Sequence, residues 1–235
     1  MDVIGNIVKK VLYRIYTFVF IFYYRFKDKS FQSENCILFN IKLKGIKKNN
    51  INIEGQCDNT NIEITGNWNH IKSKGIIHKT KFQIFGENNS IIIEEGVKLR
   101  NSHIIIRGNN CQILIGKYTT IGSMYMVNMG VNNKITIGKN CMLSDNIDIW
   151  NSDSHPIYDD KSNIINISKP IIIEDHVWLG KDVKILKGTT IEKNSIIGMG
   201  SIVSGKHIEN NTLNVGTPCK TIKRNINWNN KFIEL

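Results

Sequence analysis

The sequence predicts an all-β solenoid, a parallel β-helix built from six-residue steps. Two observations predict it. First, Ile173, Leu179, Ile185, Ile191, Ile197 and Val203 stand six apart, and the positions four after each are Val177, Val183, Thr189, Ser195, Ser201 and His207, mostly small or β-branched. A helix repeats at about 3.6 residues and a strand at about 2, so neither yields a strict six. A coil with flat faces does, because one inward side chain recurs on each face. Second, a looser repeat lies upstream. Gly86-Glu-Asn-Asn-Ser-Ile91-Ile-Ile93 matches Gly108-Asn-Asn-Cys-Gln-Ile113-Leu-Ile115 and Gly130-Val-Asn-Asn-Lys-Ile135-Thr-Ile137, with the glycines 22 apart and Gly66-Asn67 lying 20 earlier.

Residues 1–30 stand apart from this repeat. Lys9, Lys10 and Arg14 precede the run Ile15-Tyr-Thr-Phe-Val-Phe-Ile-Phe-Tyr-Tyr24, and Arg25 and Lys27 follow it. That run is far short of the roughly 20 apolar residues that span a bilayer. No small-residue cleavage site follows, so a secretory signal is not expected. The segment reads as a helix whose basic and aromatic residues, within 1–27, touch an anionic membrane surface peripherally. Docking on another subunit, or capping the end of the solenoid, is the alternative.

Residues 31–215 form the predicted β-helix. Asn-Asn followed by I-x-I reads as one corner and one short strand, and Asn and Gly suit corners that need positive φ. Spacings above three hexads imply long corners in the upstream coils. The strict phase is expected to begin with Val131, Ile137, Leu143 and Ile149, with Ile135, Cys141 and Ile147 at the fourth positions. It resumes at Ile173, four hexads after Ile149, so the interval 150–172 leaves the pattern as a loop. A loop leaving a regular solenoid is where function concentrates. Residues 216–235 form a short C-terminal tail.

Five cysteines, odd in number and without C-x-x-C spacing, argue for a reducing cytosol and against a disulfide scaffold or structural zinc. The formal charge of +11 suits a solvated surface, an anionic membrane, an anionic polymer or a phosphorylated cofactor. Nucleic acid is not expected as a partner, because no helix-turn-helix, zinc finger or aromatic RNA-binding motif occurs.

His155 is the leading chemical candidate. Ser152, Asp153, Ser154 and Pro156 make a turn around it, and an imidazole changes charge near neutral pH, which suits a general base. Asp153 or Asn151 is expected to fix its tautomer by accepting the other ring N–H. Trp178 at a solenoid corner either packs on the loop of His155 or offers its indole N–H to an oxyanion, with plain core packing as the alternative. Gly198, Gly200 and Ser201 present small residues along which a thin ligand could lie. Lys206, Lys220, Lys223 and Arg224 read as a phosphate patch or a solvated face. No metal site is expected: the six histidines offer no short H-x-x-x-x-H pair, and His176 has no partner at ligand spacing.

Taken together, Ile173-Glu-Asp-His-Val-Trp-Leu-Gly, Val183-Lys-Ile-Leu-Lys-Gly, Ile197-Gly-Met-Gly-Ser-Ile-Val and Val215-Gly-Thr-Pro-Cys-Lys-Thr-Ile resemble the bacterial hexapeptide-repeat O-acetyltransferases. Asp153-Ser-His155-Pro-Ile and Asn225-Ile-Asn-Trp228 are similar to the branch that acetylates capsular and lipopolysaccharide sugars, polysialic acid included. The resemblance covers about residues 130–228. It implies a left-handed β-helix, a homotrimer, and acetyl-CoA in clefts between coils, with His155 as the base and Trp178 in the active-site region. It also implies that Gly180, Gly198, Gly200 and Ser201 follow the pantetheine arm, and that Thr217, Pro218 and Lys220 lie near the nucleotide. Met199 and Cys219 depart from the small alanines usual there. The expected activity is acetyl transfer from acetyl-CoA to a glycan hydroxyl in the cytoplasm, at or near the inner face of the plasma membrane. A non-catalytic β-solenoid scaffold on a membrane or polymer is the alternative.

Overall fold

In a computed structural model, residues 11–12, 14–23, 31–32 and 36–231 are described; most of the basic flanks of the N-terminal segment, Lys9, Lys10, Arg25 and Lys27 among them, and the last four residues lie outside this set. The chain winds as a left-handed parallel β-helix with three flat sheets. The first sheet has nine strands, from Phe31–Gln32 through Ser90–Ile93 to His207–Ile208. The second runs from Ile37–Phe39 through Trp178–Leu179 to Thr212–Val215. The third runs from Lys42–Lys44 through Ile147–Trp150 to Ile202–Ser204. Each coil visits the three sheets in that order, so three corners recur up the solenoid.

Stacking follows from side-chain alternation on the strands. Ile51, Ile71, Ile91, Ile113, Ile135 and Ile171 are in register on the first sheet, and all are essentially buried. Each such isoleucine contributes about 1.5–3 kcal/mol of burial. The step from coil to coil is 20 residues at Ile51–Ile71, 22 at Ile91–Ile113 and 18 at Ile173–Ile191, so the strict six belongs to the downstream coils.

The corners account for the abundance of asparagine. Among the described residues, 19 non-glycine positions have positive φ and 11 of them are Asn, whose short side chain tolerates that region. The corner between the third and first sheets carries a glycine column. A Cβ on Gly66 would meet the Gly86 carbonyl oxygen at 2.0 Å, and one on Gly108 would meet that of Gly130 at 1.8 Å. Beside it runs a buried asparagine ladder. The Asn69 amide nitrogen donates to Gly86 O at 2.9 Å, while its oxygen accepts from Asn89 N–H at 3.0 Å and from the Asn89 amide at 2.9 Å. Asn49 and Asn89 repeat the pattern, and Cys111 continues it by donating Sγ–H to Gly130 O at 3.2 Å.

Two expectations about phase are corrected. Val131 is 65 % exposed, because Gly130, Val131 and Asn132 form a corner; the strict inward phase starts at Ile135 and Ile137. His207 points outward, in register with Thr190, and the buried Ile208 pairs with Ile191, because the coil from Ile191 to Ile208 is one residue short. Cys57, Cys111, Cys141 and Cys219 are buried, and burial pushes the Cys57 thiol up to about 12 and Cys141 up to about 11.

Both ends of the solenoid are covered. Residues 11–12 and 14–23 are helical, and Thr17 bridges the first strand of the second sheet: its Oγ1 accepts from Leu38 N–H at 2.8 Å and donates to Leu38 O at 2.9 Å. At the other end Lys220–Arg224 pairs antiparallel with Thr212–Val215. An open sheet edge would otherwise offer unpaired backbone groups.

Candidate active site

Between Trp150 and Ile171 the chain leaves the corner between the third and first sheets and returns 20 residues later. Ser154, at φ +67°, turns the chain tightly, and His155 N–H donates to Asp153 O at 2.8 Å. Beyond Pro156 the loop doubles back: Tyr158 bridges Ile164, and Ile165 N–H donates to Ile157 O at 2.9 Å. His155 is exposed, and its ring has no hydrogen-bond partner among the described residues.

Neither residue expected to hold that ring is placed on it. Asp153 accepts from Lys187 Nζ and, at 2.9 Å, from the Asn166 amide. These donors hold its carboxyl below the ordinary aspartate range, Lys187 most strongly. Asn151 is fully buried, donating to Asn128 Oδ1 at 2.6 Å and accepting from Met129 N–H at 2.7 Å. Both therefore shape the loop that carries His155. Asn166 is the staple that sequence reading missed: its amide also donates to His155 O at 2.8 Å, and its oxygen accepts from Ile157 N–H at 2.7 Å. Nothing in an isolated Asn within a polar stretch signals that role.

Trp178 sits on the outer side of the second sheet, since Val177 and Leu179 point inward. It does not meet the loop of His155. Its neighbour is Trp228 from the tail, with ring centroids 5.9 Å apart. His176, set aside as a ligand, stacks on Trp228 at 4.1 Å.

Two of the small residues named above, Gly180 and Gly198, share one corner, and Gly216 joins them. Gly180, Gly198 and Gly216 lie in successive coils at the corner between the second and third sheets, next to Trp178. Gly198 N–H donates to Asn214 O at 2.8 Å, Gly200 N–H to Lys181 O at 2.9 Å, and Gly216 N–H to Ser201 Oγ at 2.9 Å. A Cβ on Gly180 would meet Met199 N at 2.7 Å, so backbone approach requires glycine there. Gly200 has open space before it, Thr217 and Pro218 are exposed beside it, and Lys220 is exposed just beyond. Of the basic patch, Lys206 is spent on the Cys219 carbonyl at 2.6 Å. A second sheet flanked by a glycine edge therefore carries Trp178, while the corner opposite that sheet carries His155.

Comparison with known proteins agrees. The family model "Bacterial transferase hexapeptide (six repeats)" matches residues 170–205. The chain is 33 % identical over 185 residues to the polysialic acid O-acetyltransferase of Neisseria meningitidis, covering 69 % of this chain and 86 % of that protein. Among solved structures, the polySia-specific acetyltransferase NeuO superposes with a TM-score of 0.70 at 28 % identity, over 87 % of this chain and 91 % of that one. The polysialic acid O-acetyltransferase OatWY gives 0.66 at 28 % identity, over 86 % and 92 %. The chain belongs to the hexapeptide-repeat O-acetyltransferase family, in the branch that holds the polysialic acid O-acetyltransferases. It is thus an acetyltransferase rather than an inert scaffold.

Proposed function

We propose that this enzyme moves the acetyl group of acetyl-CoA to a hydroxyl of a sialic-acid-type cell-surface glycan, in sites shared between the subunits of a homotrimer. The observation that carries the shared site is the separation of His155 from Trp178 on opposite sides of one triangular coil. If the third sheets of three subunits face a common axis, each His155 corner lies beside the glycine corner of its neighbour. Two features support that arrangement. Trp150 and Leu186, paired in line on the outer side of the third sheet, are half-buried and apolar, above Ile105 and Val127 that the chain itself already covers. The doubled-back loop also exposes Ile157, Tyr158, Ile164, Ile165 and Ile167, an apolar arm suited to a second copy.

In this reading His155 takes the proton of the sugar hydroxyl as its oxygen attacks the thioester carbonyl. The tetrahedral oxyanion is stabilised by a backbone N–H or the Trp178 indole, and collapse expels the CoA thiolate, which recovers the proton from His155. No acyl-enzyme forms, because both substrates meet in one cleft. Gly180, Gly198, Gly200 and Ser201 line the pantetheine arm, and Thr217, Pro218 and Lys220 lie toward the nucleotide. An anionic acceptor is supported by a groove of about 960 Å³ along the same corner, lined by Lys79 and Lys81 among asparagine amides, with the Lys184–Asp148 ion pair and Asp182 at its downstream end. Residues 1–27 supply a peripheral membrane contact. The test is to incubate the enzyme with acetyl-CoA and either a sialic acid polymer or neutral glycans, reading free-thiol release and glycan mass. Acetyl ester on the sialic acid polymer is expected, and transfer only to neutral sugars overturns the acceptor class.

A further inference from the structure

The helical residues at the N-terminus have two apolar faces, and the solenoid accounts for one. Thr17 and Phe20 are buried, and Tyr16 and Ile21 pack on the core beside them. Tyr16 meets Phe39 edge-on with centroids 5.6 Å apart, and Phe20 meets Phe31 at 5.5 Å. At 3.6 residues per turn these positions occupy one side of the helix. On the other side Val11, Leu12, Ile15, Phe18 and Val19 are 51–71 % exposed. Leaving five large apolar side chains in water on a face turned away from the protein is unusual for a chain whose solenoid is packed to near-complete burial.

Charge indicates what covers this face. Residues 1–30 hold six basic side chains, Lys9, Lys10, Arg14, Arg25, Lys27 and Lys29, against Asp2 and Asp28. Arg14 is exposed on the helix itself, one turn from both Val11 and Phe18. Apolar residues on one side with cations around them match an anionic bilayer surface, which takes up aromatic and aliphatic groups at its boundary and attracts basic residues at about 1 kcal/mol each. No helix among the described residues is long and apolar enough to cross a membrane.

We infer that the outer face of residues 11–19 seats the solenoid end-on upon an anionic lipid surface. The helix covers the first coil, so the solenoid axis stands away from that surface. Trp178–Leu179 is six strand steps above Ile37–Phe39 in the second sheet, roughly 30 Å at the usual ~4.8 Å spacing. The lysine groove begins at Asn59 and Asn61, near the seated end, and climbs to Asp182 and Lys184 beside the glycine corner. A glycan chain rising from a lipid anchor therefore meets the groove before the site. The inference rests on the reading of residues 1–27 as a membrane contact and is independent of the transfer chemistry.

The experiment is flotation of the full chain with vesicles of phosphatidylcholine alone or mixed with phosphatidylglycerol, alongside acetyl transfer to an acceptor in solution. Binding roughly tenfold or more tighter to the mixed vesicles, weakened by salt, is expected. The double variant Phe18→Asp, Val19→Asp should lose vesicle binding and keep its transfer rate, since neither residue is in the site. Arg14→Glu should narrow the preference for phosphatidylglycerol. Equal binding to both vesicles, or binding kept by the double variant, overturns the inference. So does doubling of the particle mass in solution that the double variant abolishes, which assigns the face to a second copy. Vesicle binding without acetyl transfer would instead count against the proposed function.

Discussion

Trp228 lies flat on His176: the rings are 4.1 Å apart and inclined by 5°, and the indole Nε1–H donates to His176 O at 2.9 Å. One residue thus ties the tail to the coil that carries Trp178. Replacing it with alanine removes the stack and the hydrogen bond, together about 1–3 kcal/mol of tail docking. Trp228→Ala should shed residues 225–231 to protease sooner and lose activity as Trp178 loses its neighbour. Trp228→Phe keeps a flat ring and should recover part of both. Wild-type protease resistance in the alanine variant would mean that the tail is held elsewhere.

The opposed positions of His155 and Trp178 make the proposed shared-site trimer testable by mixing variants. His155→Ala alone should cost about 10²–10⁴ in transfer rate, with little change in unfolding midpoint, because its ring has no partner within the described chain. Trp178→Ala should also be slow. Unfolding and refolding the two variants together should restore about a quarter of wild-type activity, since random mixed trimers regain one intact pair. No recovery on mixing would place both residues of a site in one subunit.

Lys187 and Asn166 clamp the carboxylate of Asp153, which titrates below its ordinary range. A depressed carboxyl contributes stability above its unfolded value and loses it as the pH falls through the folded one. The loop should therefore stay protected from hydrogen exchange across neutral and mildly acid pH and loosen only when the pH falls below the ordinary aspartate range. In Asp153→Asn the protection of residues 153–166 should be lower at neutral pH and vary less with acid. Equal protection of variant and wild type at neutral pH would remove the clamp.

The asparagine ladder is a stability device. Asn69→Ala strands the Gly86 carbonyl and the Asn89 N–H, both inside the corner. At about 1–3 kcal/mol for each of these two unmet buried groups, the loss should be about 2–6 kcal/mol in urea unfolding. A loss under about 1 kcal/mol would show that water or a shifted neighbour satisfies them.

The sequence by itself determined the rung. Period six, the Ile pairs and the Asn-Gly corners depend on which residues point inward and which tolerate positive φ, and those are local properties. The same locality made the loop after Trp150 visible and drew out Gly198, Gly200 and Ser201 as a stretch of small residues, while Gly180 joined them only through the family resemblance. Phase failed only where a corner changed length, at Val131 and at His207. Tertiary structure decided which distant residues meet. Asp153 turns from His155 to Lys187, 34 positions away, and His176 finds Trp228 52 positions away. Such pairings depend on how many residues each coil spends in its corners, a sum that no single repeat contains. The outward face of Val11, Leu12, Ile15, Phe18 and Val19 is decided in the same way: a segment with apolar residues on every side does not say which side the solenoid will cover.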